Sequence, residues 1–186
     1  MLFRSPTGAI GSAIAFDRVI GSVVHAACSM PEPGLALNRM GKGLIVGEPR
    51  GGKSERSEAV FKLLTLAGFD VKHSEDIRYD IWYKLWGNMT MNPVSAITGA
   101  TIDRVLADRL VRDFCSACMQ EAAAIGARIG CSITETPEDR HGVTAKLGAF
   151  KTSMLQDVEA GREIELDAIV AAVQEIGTRL NLPMPN

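Results

Sequence analysis

The first third of the chain alternates short apolar runs with glycine and proline, which is typical of strands joined by turns. Residues 18 to 30, RVIGSVVHAACSM, contain a β-branched run that prolines close, and this predicts a strand followed by a turn. The runs GLALNRM and GLIVGEP, separated by glycines, predict a β-hairpin or two adjacent strands. From Ser54 the apolar positions follow a helical spacing that ends at Gly68. This segment is therefore predicted to be α/β.

The chain beyond Val71 carries apolar positions at helical spacing, without a further strand pattern. A first helix, preceded by Ser74, is predicted to meet Pro93. Asn92 is expected where that helix ends or kinks, because a residue before proline avoids the α region. The further predicted helices are Thr101 to Ala127, one opened by Pro137, Ser153 to Ala160, and Leu166 to Leu180. The expected fold class is an α/β segment followed by an all-α segment, joined within residues 68 to 74.

The composition is that of a globular chain without a strong charge bias. Its 186 residues are 46% hydrophobic and 23% charged, which allows a buried core, and the formal net charge is −2. Nucleic-acid-binding domains carry a basic surplus, so no nucleic-acid partner is expected. No apolar run approaches the roughly 20 residues that span a bilayer, and the start lacks a signal-peptide pattern. No membrane partner is expected, and the predicted location is cytoplasmic.

One glycine-rich motif formally matches a phosphate-binding loop. The stretch GEPRGGKS, from Gly47 to Ser54, satisfies G-x-x-x-x-G-K-[ST], in which Lys53 would reach the phosphates of a nucleotide. However, Glu48 places a negative charge in this loop, and no run of βα units follows. The favoured interpretation is a glycine-rich turn before a surface helix. The fragment GAIGSA, residues 8 to 13, matches only part of a dinucleotide fingerprint.

The four cysteines and three histidines show no pattern of a reactive or metal-binding site. Cys115 and Cys118 form a C-x-x-C inside an amphipathic helix and not at a helix start, which favours a packing role. The histidines, His25, His73 and His141, lack the spacing of metal ligands. No metal site is predicted.

The stretch WYKLWGNMTMNP carries the most informative polar residues. Lys84, Asn88 and Asn92 are spaced four apart, so on a helix they form one stripe about 12 Å long. Amides donate and accept hydrogen bonds, and a lysine supplies a cation and a transferable proton, which together suit a small oxyacid. We call these three residues the lysine row. An alternative remains that the asparagines bond neighbouring backbone.

A second polar cluster lies within KTSMLQDVEAGREIELDAI, residues 151 to 169. Ser153 starts a predicted helix and offers a hydroxyl, whereas Glu163, Glu165 and Asp167 surround the start of the next helix, where carboxylates are favoured. Taken alone, the cluster also fits a capping serine and a solvated acidic face.

Together these residues resemble a known family. The pattern W-x-K-L-x-x-N-x-x-x-N-P, followed by the serine of TSMLQD and the glutamate of EIELD, is similar to the 2-dehydropantoate 2-reductases, or ketopantoate reductases. The segments RVIGSVVHAA, GLIVGEPRG and SERSE also resemble the end of that family's dinucleotide-binding domain. The resemblance implies the end of a Rossmann-type NADP-binding domain in residues 1 to 72. It also implies an all-α domain in residues 73 to 186, of the 6-phosphogluconate dehydrogenase C-terminal type.

The resemblance also implies an activity, the NADPH-dependent reduction of a 2-keto acid, as in the conversion of 2-dehydropantoate to pantoate in pantothenate and coenzyme A biosynthesis. Lys84 and Glu165 would be catalytic, with Lys84 protonating the keto oxygen and Glu165 lying beside the lysine and the cofactor ribose. Ala27 would touch the cofactor through its backbone. The residues expected to bind the keto acid are Lys84, Asn88, Asn92 and Ser153.

The family pattern begins with a complete G-x-G-x-x-G fingerprint, which this sequence lacks. The resemblance therefore leads us to expect that this chain is truncated at its N-terminus. Members of the family usually continue into one more helix after the position at which this chain ends, LPMPN. Two other functions stay open at this point. One is a non-catalytic helical module that forms a homodimer. The other is nucleotide binding through the motif from Gly47 to Ser54.

Overall fold

The structure, a computed structural model, describes residues 14 to 186, so the fragment GAIGSA at residues 8 to 13 lies outside the described residues. The chain divides into two compact units, Met1–Ile81 and Trp82–Asn186. The first unit carries a small sheet and one helix, and the second is helical. This confirms the expected fold class. The domain boundary expected between residues 72 and 73 stays a prediction.

The sheet of the first unit has three strands in the order β1-β2-β3. Strand β1 (Gly21–Glu32) pairs antiparallel with β2 (Leu35–Gly47), and β2 pairs parallel with β3 (Asp70–His73). Gly34, at φ 85°, forms the turn between β1 and β2. The predicted strand and turn are confirmed. The hairpin predicted within residues 34 to 49 is wrong, because these residues form the single strand β2.

A bulge in β2 explains this error. His25 pairs with Gly43 and Ala27 pairs with Met40, so Ala26 faces two residues of β2. Gly41 has a φ of 73°, and a Cβ atom there would lie 2.5 Å from the carbonyl oxygen of His25. Only glycine fits this position. The glycine that suggested a turn in the sequence therefore bends a continuous strand.

Helix α1 (Glu55–Leu66) begins directly after Ser54, where the helical spacing was predicted to start, and the Ser54 hydroxyl caps it by accepting a hydrogen bond from the Ser57 backbone N–H. Gly68 follows α1 with a φ of 87°, as predicted for a stop signal. Strand β3 was not predicted. Its four residues, DVKH, carry too short a pattern to be recognised, and their extended form depends on pairing with β2.

The second unit is built from successive helices, into which α2 leads from the first unit. These helices are α2 (Ile77–Thr98), α3 (Ile102–Ala107), α4 (Arg109–Arg128), α5 (Pro137–Ala145), α6 (Ser153–Glu159) and α7 (Ala172–Arg179), with a π-helical turn (Asp167–Ala171) directly before α7. The helices expected at Pro137, Ser153 and Leu166 are thereby confirmed. Among the described residues, none of the helices is both long and apolar enough to cross a membrane.

Of the two outcomes predicted at Pro93, an end or a kink, the end is wrong, since α2 continues to Thr98 with Pro93 inside it. Proline lacks an N–H, so it removes one hydrogen bond from the helix. Met91 and Val94, on either side of the proline, pack in the hydrophobic core that α3 and α4 complete. We infer that this packing outweighs the local preference.

The single helix predicted from Thr101 to Ala127 is also wrong, because Asp108 divides it. The backbone of Asp108 is extended, at φ −80° and ψ 114°, which ends α3. Its carboxylate then accepts hydrogen bonds from the N–H groups of Leu110 and Val111, at 2.9 and 3.1 Å, and caps α4. The apolar periodicity continues across this break, so hydrophobic spacing alone does not reveal it.

Candidate functional site

The lysine row lies on α2, whose other side is buried deeply. Trp82 and Trp86 are each 1% exposed, and the Trp86 indole N–H donates to the Met119 carbonyl at 2.7 Å. This bond joins α2 to α4 inside the core. Because the two tryptophans fix the helix from one side, the direction of Lys84 and Asn88 is set by packing.

A second contact fixes the same turn of α2. The guanidinium of Arg140, on α5, stacks over the Tyr83 ring at 5.0 Å. A Cβ atom at Gly87 would lie 2.6 Å from the Arg140 Nε, so the glycine makes room for this side chain. Gly87 and Arg140 thus bring α5 close to the helix that carries the lysine row.

The structure places the three members of the lysine row on consecutive turns of α2. Lys84 and Asn88 are half-buried, and Asn92 is 8% exposed. Within residues 14 to 186, no hydrogen bond uses the side-chain amide of either asparagine. The alternative in which these amides bond neighbouring backbone is therefore wrong for the described residues. Both amides retain their capacity to donate and accept.

The electrostatics of the row involve Glu165. Burial lowers the pKa of the Lys84 ammonium below its ordinary value, and the Glu165 carboxylate acts in the opposite direction by favouring the charged form. Glu165 itself is exposed and directly precedes the helical segment that contains the π-turn. Such turns often occur at functional sites. Glu165 is thus close enough to Lys84 to influence its charge. The catalytic and cofactor roles of Glu165 stay predictions.

Ser153 is the first residue of α6, but it does not cap that helix. The cap is Thr152, whose hydroxyl accepts a hydrogen bond from the Leu155 N–H at 3.2 Å. The capping role considered for Ser153 is therefore wrong. Ser153 is exposed, and no hydrogen bond among the described residues uses its hydroxyl. That hydroxyl is available to a ligand.

Sequence reasoning missed two residues beside this site, Ser95 and Thr152. Their hydroxyl oxygens lie 2.5 Å apart and join α2 to the start of α6. Ser95 lies three residues after Asn92 and seven after Asn88, so it shares their stripe of the helix. This spacing is the signal by which the sequence could have revealed Ser95. Nothing in the sequence shows that its partner is Thr152, the cap of α6.

Ala27 lies apart from the lysine row in the sequence, in the first unit. It pairs with Met40 in the irregular part of the β1 and β2 ladder. Its role as a cofactor contact stays a prediction.

The phosphate-loop motif has a structural role in the first unit. Glu48 is 9% exposed, and its carboxylate accepts hydrogen bonds from the Arg56 guanidinium, at 2.7 Å, and from the Ser54 hydroxyl. The hydrogen bond from Arg56 lowers the pKa of Glu48 to about 2. Lys53 lies 2.9 Å from Glu75. The lysine and hydroxyl that a nucleotide would need are thus engaged by carboxylates.

The C-x-x-C pair is part of the helical core. Cys115 is fully buried, and burial raises the pKa of its thiol to about 11. Burial also raises the pKa of Cys118. Both thiols are therefore poor nucleophiles, as the packing interpretation predicted. Among residues 14 to 186, no group of histidines, cysteines and carboxylates is arranged to hold a metal ion.

The second unit also has an apolar groove of about 240 Å³ between α2, α4 and the C-terminal segment. We define it by five lining residues, Ile97, Phe114, Leu166, Val170 and Met184. Ile97 is 84% exposed, Phe114 46% and Leu166 42%. The groove thus leaves several large apolar side chains in contact with water.

The fold and the site define a small three-stranded sheet followed by a helical unit, with a polar row on the longest helix. Residues 76 to 186 match the family model described as "Ketopantoate reductase PanE/ApbA C terminal". The chain therefore belongs to the ketopantoate reductase family.

Individual relatives agree with this assignment. The 2-dehydropantoate 2-reductase of Mesorhizobium japonicum is 43% identical over 97% of this chain and 55% of the relative. A crystal structure from Ralstonia solanacearum MolK2, provisionally named a ketopantoate reductase, has 52% identity and a TM-score of 0.91, covering 97% of this chain and 55% of that one. For the 2-dehydropantoate 2-reductase of Methylococcus capsulatus, the identity is 29% and the TM-score 0.83, over 89% of this chain and 54% of that one.

The chain spans about half the length of the curated relatives it matches. D-mandelate dehydrogenase in complex with NADH shares the fold, with a TM-score of 0.85 at 17% identity. The fold thus extends beyond the ketopantoate reductases.

Proposed function

We propose that this chain supplies the keto-acid site of an NADPH-dependent 2-dehydropantoate 2-reductase, which reduces a 2-keto acid to the 2-hydroxy acid. The observation that carries the proposal is the lysine row, in which a half-buried lysine lies on one helix face with two amides that no described residue engages. Membership of the ketopantoate reductase family supports the same substrate class.

The row has the chemistry that a 2-keto acid needs. The carboxylate and keto oxygens of such a molecule accept hydrogen bonds, which the amides of Asn88 and Asn92 and the hydroxyl of Ser153 can donate. Lys84 attracts the negative charge and holds the proton that the keto oxygen takes up. Burial lowers the pKa of Lys84 and so makes it a stronger acid, whereas Glu165 favours its protonated form.

The residues assigned to the cofactor fit a nicotinamide dinucleotide in their chemistry. Glu165 is exposed, and its carboxylate can accept hydrogen bonds from ribose hydroxyls. Ala27 would contribute only backbone groups. NADPH, when bound, supplies the hydride that reduces the keto carbon. On the protein side, Lys84 provides the proton and Glu165 keeps that lysine charged.

The proposal is tested by titrating the chain with ketopantoate by calorimetry, with and without NADPH, and by following NADPH consumption. We expect Lys84→Ala to lower any turnover by about 10²- to 10⁴-fold, the contribution typical of a general acid, and to abolish measurable ketopantoate binding. Lys146→Ala is the matched control, because Lys146 is exposed directly after α5 and outside the lysine row. Absence of ketopantoate binding by the wild type, or equal binding by Lys84→Ala, would contradict the proposal.

A second candidate function, self-association as a homodimer, is favoured by the exposed side chains of the apolar groove. Sedimentation velocity across a concentration series would test it. Ile97→Glu, in the groove, is expected to dissociate a dimer, whereas Leu66→Glu on α1 is the control, because Ile97 is 84% and Leu66 86% exposed. A wild-type chain that stays monomeric at all concentrations would exclude this candidate.

A further inference from the structure

The hydroxyl pair of Ser95 and Thr152 is buried between α2 and α6. Ser95 is 0% exposed and Thr152 is 4% exposed, so both hydroxyls must be satisfied inside the protein. Ser95 lies eleven residues after Lys84, and it projects within about 20° of Lys84 around the helix axis. Ser95 therefore continues the stripe that carries the lysine row, beyond Asn92.

The hydrogen bonds around this pair have only one consistent direction. The Ser95 hydroxyl donates its single proton to the Asn92 carbonyl, at 3.0 Å, so it must accept in its 2.5 Å contact with Thr152. Thr152 therefore donates to Ser95, and its oxygen accepts from the Leu155 N–H at 3.2 Å. A directed chain of bonds runs from Leu155 through Thr152 and Ser95 to the Asn92 carbonyl.

This chain of bonds touches the proposed substrate site at Asn92 and lies next to it at Thr152. It ends on the backbone carbonyl of Asn92, whose amide belongs to the lysine row. Thr152, in the middle of the chain, is covalently joined to Ser153. Because hydrogen bonds in a buried environment are directional and strong, the chain sets the separation between the Asn92 amide and the Ser153 hydroxyl.

We propose that Ser95 and Thr152 are positioning residues for the keto acid, acting through Asn92 and Ser153 without touching the substrate. This inference rests on the proposed function of the lysine row. It adds a reason why a hydroxyl occupies position 95 in the interior of a helix, where alanine would be the better helix former. A packing role alone requires no hydroxyl at this position.

The first test compares the ketopantoate affinity of Ser95→Ala with that of the wild type in the full 186-residue chain. Ser95→Ala keeps the Thr152 cap and removes only the link, and we expect about tenfold weaker binding, as for one lost hydrogen bond. Thr152→Ser keeps the hydroxyl and is expected to bind like the wild type. Thr90→Val is the control, because Thr90 is also a buried hydroxyl residue of α2, and its hydroxyl donates to the Gly87 carbonyl on the same helix.

A double-mutant cycle separates positioning from a general loss of stability. Because Ser95 acts partly through Ser153, Ser95→Ala weakens ketopantoate binding less in the Ser153→Ala background than in the wild type, so the two losses are less than additive. Fully additive losses, or wild-type affinity in Ser95→Ala, would overturn the inference and leave the proposed function standing. A wild-type chain that does not bind ketopantoate would overturn both, and that result is distinguishable because it does not depend on Ser95.

Discussion

The tightest packing beside the site occurs where α4 crosses the start of the lysine-row segment. A Cβ atom added to Gly126 would lie 2.3 Å from the indole nitrogen of Trp82 and 2.7 Å from the carbonyl oxygen of Cys131. Trp82 is 1% exposed and lies two residues before Lys84. Gly126→Ala therefore forces apart groups that the core holds in place, and it should destabilise the helical unit.

The size of the effect follows from two opposing contributions. Replacing glycine by alanine inside a helix stabilises it by about 1 kcal/mol. Overpacking a core costs about 1 to 3 kcal/mol, and the upper end applies because one of the two obstructing atoms belongs to the backbone and cannot rotate away. The net loss is about 2 kcal/mol, which lowers the Tm of a chain of this length by about 4 to 8 °C.

Thermal unfolding followed by circular dichroism measures this change, and Gly142→Ala supplies the control. Gly142 lies inside α5, and a Cβ atom there would meet no other atom within 4 Å. Its Tm should rise by about 2 to 4 °C, because only the gain in helix propensity remains. Equal Tm values for the two variants would refute the close packing of Gly126 against Trp82.

Three further predictions concern titration and reactivity. Glu165→Gln removes the charge that raises the pKa of Lys84, so the alkaline limb of a pH–rate profile should move to lower pH, and an unchanged limb would exclude their coupling. Arg56 holds the pKa of Glu48 at about 2, below its ordinary 4.5, so this pair stabilises the fold above pH 4.5 and loses that contribution as the pH falls towards 2. Glu48→Gln should therefore lower the Tm at neutral pH and make the Tm depend less on pH between pH 4.5 and 2. A plot of Tm against pH that runs parallel to that of the wild type would argue against this stabilising role of Glu48. Cys28 is the exposed one of the four cysteines, so a thiol reagent should modify the native chain in one fast phase that Cys28→Ser abolishes; persistence of that phase would show that another thiol is accessible.

Periodicity predicted the helical half well, because burying one face of a helix imposes a repeat that can be read without a structure. Pro137 and Ser54 added correct start points, since capping depends on neighbouring residues alone. The errors at Pro93 and Asp108 arise where hydrophobic periodicity and local preference do not decide the structure. At Pro93, core packing overrides a local preference, and at Asp108 a cap interrupts an apolar repeat that continues past it.

The order of the lysine row was determined by the sequence, because residues four apart must share a helix face. Apart from the family resemblance, the influence of Glu165 on the charge of Lys84 is visible only in the tertiary structure, since folding brings the two groups together. The same holds for Ser95 and Thr152, which are 57 residues apart in the chain. No local pattern encodes that partnership. Contacts between distant segments depend on how the helices pack, and this is why only the folded chain shows that these two hydroxyls meet.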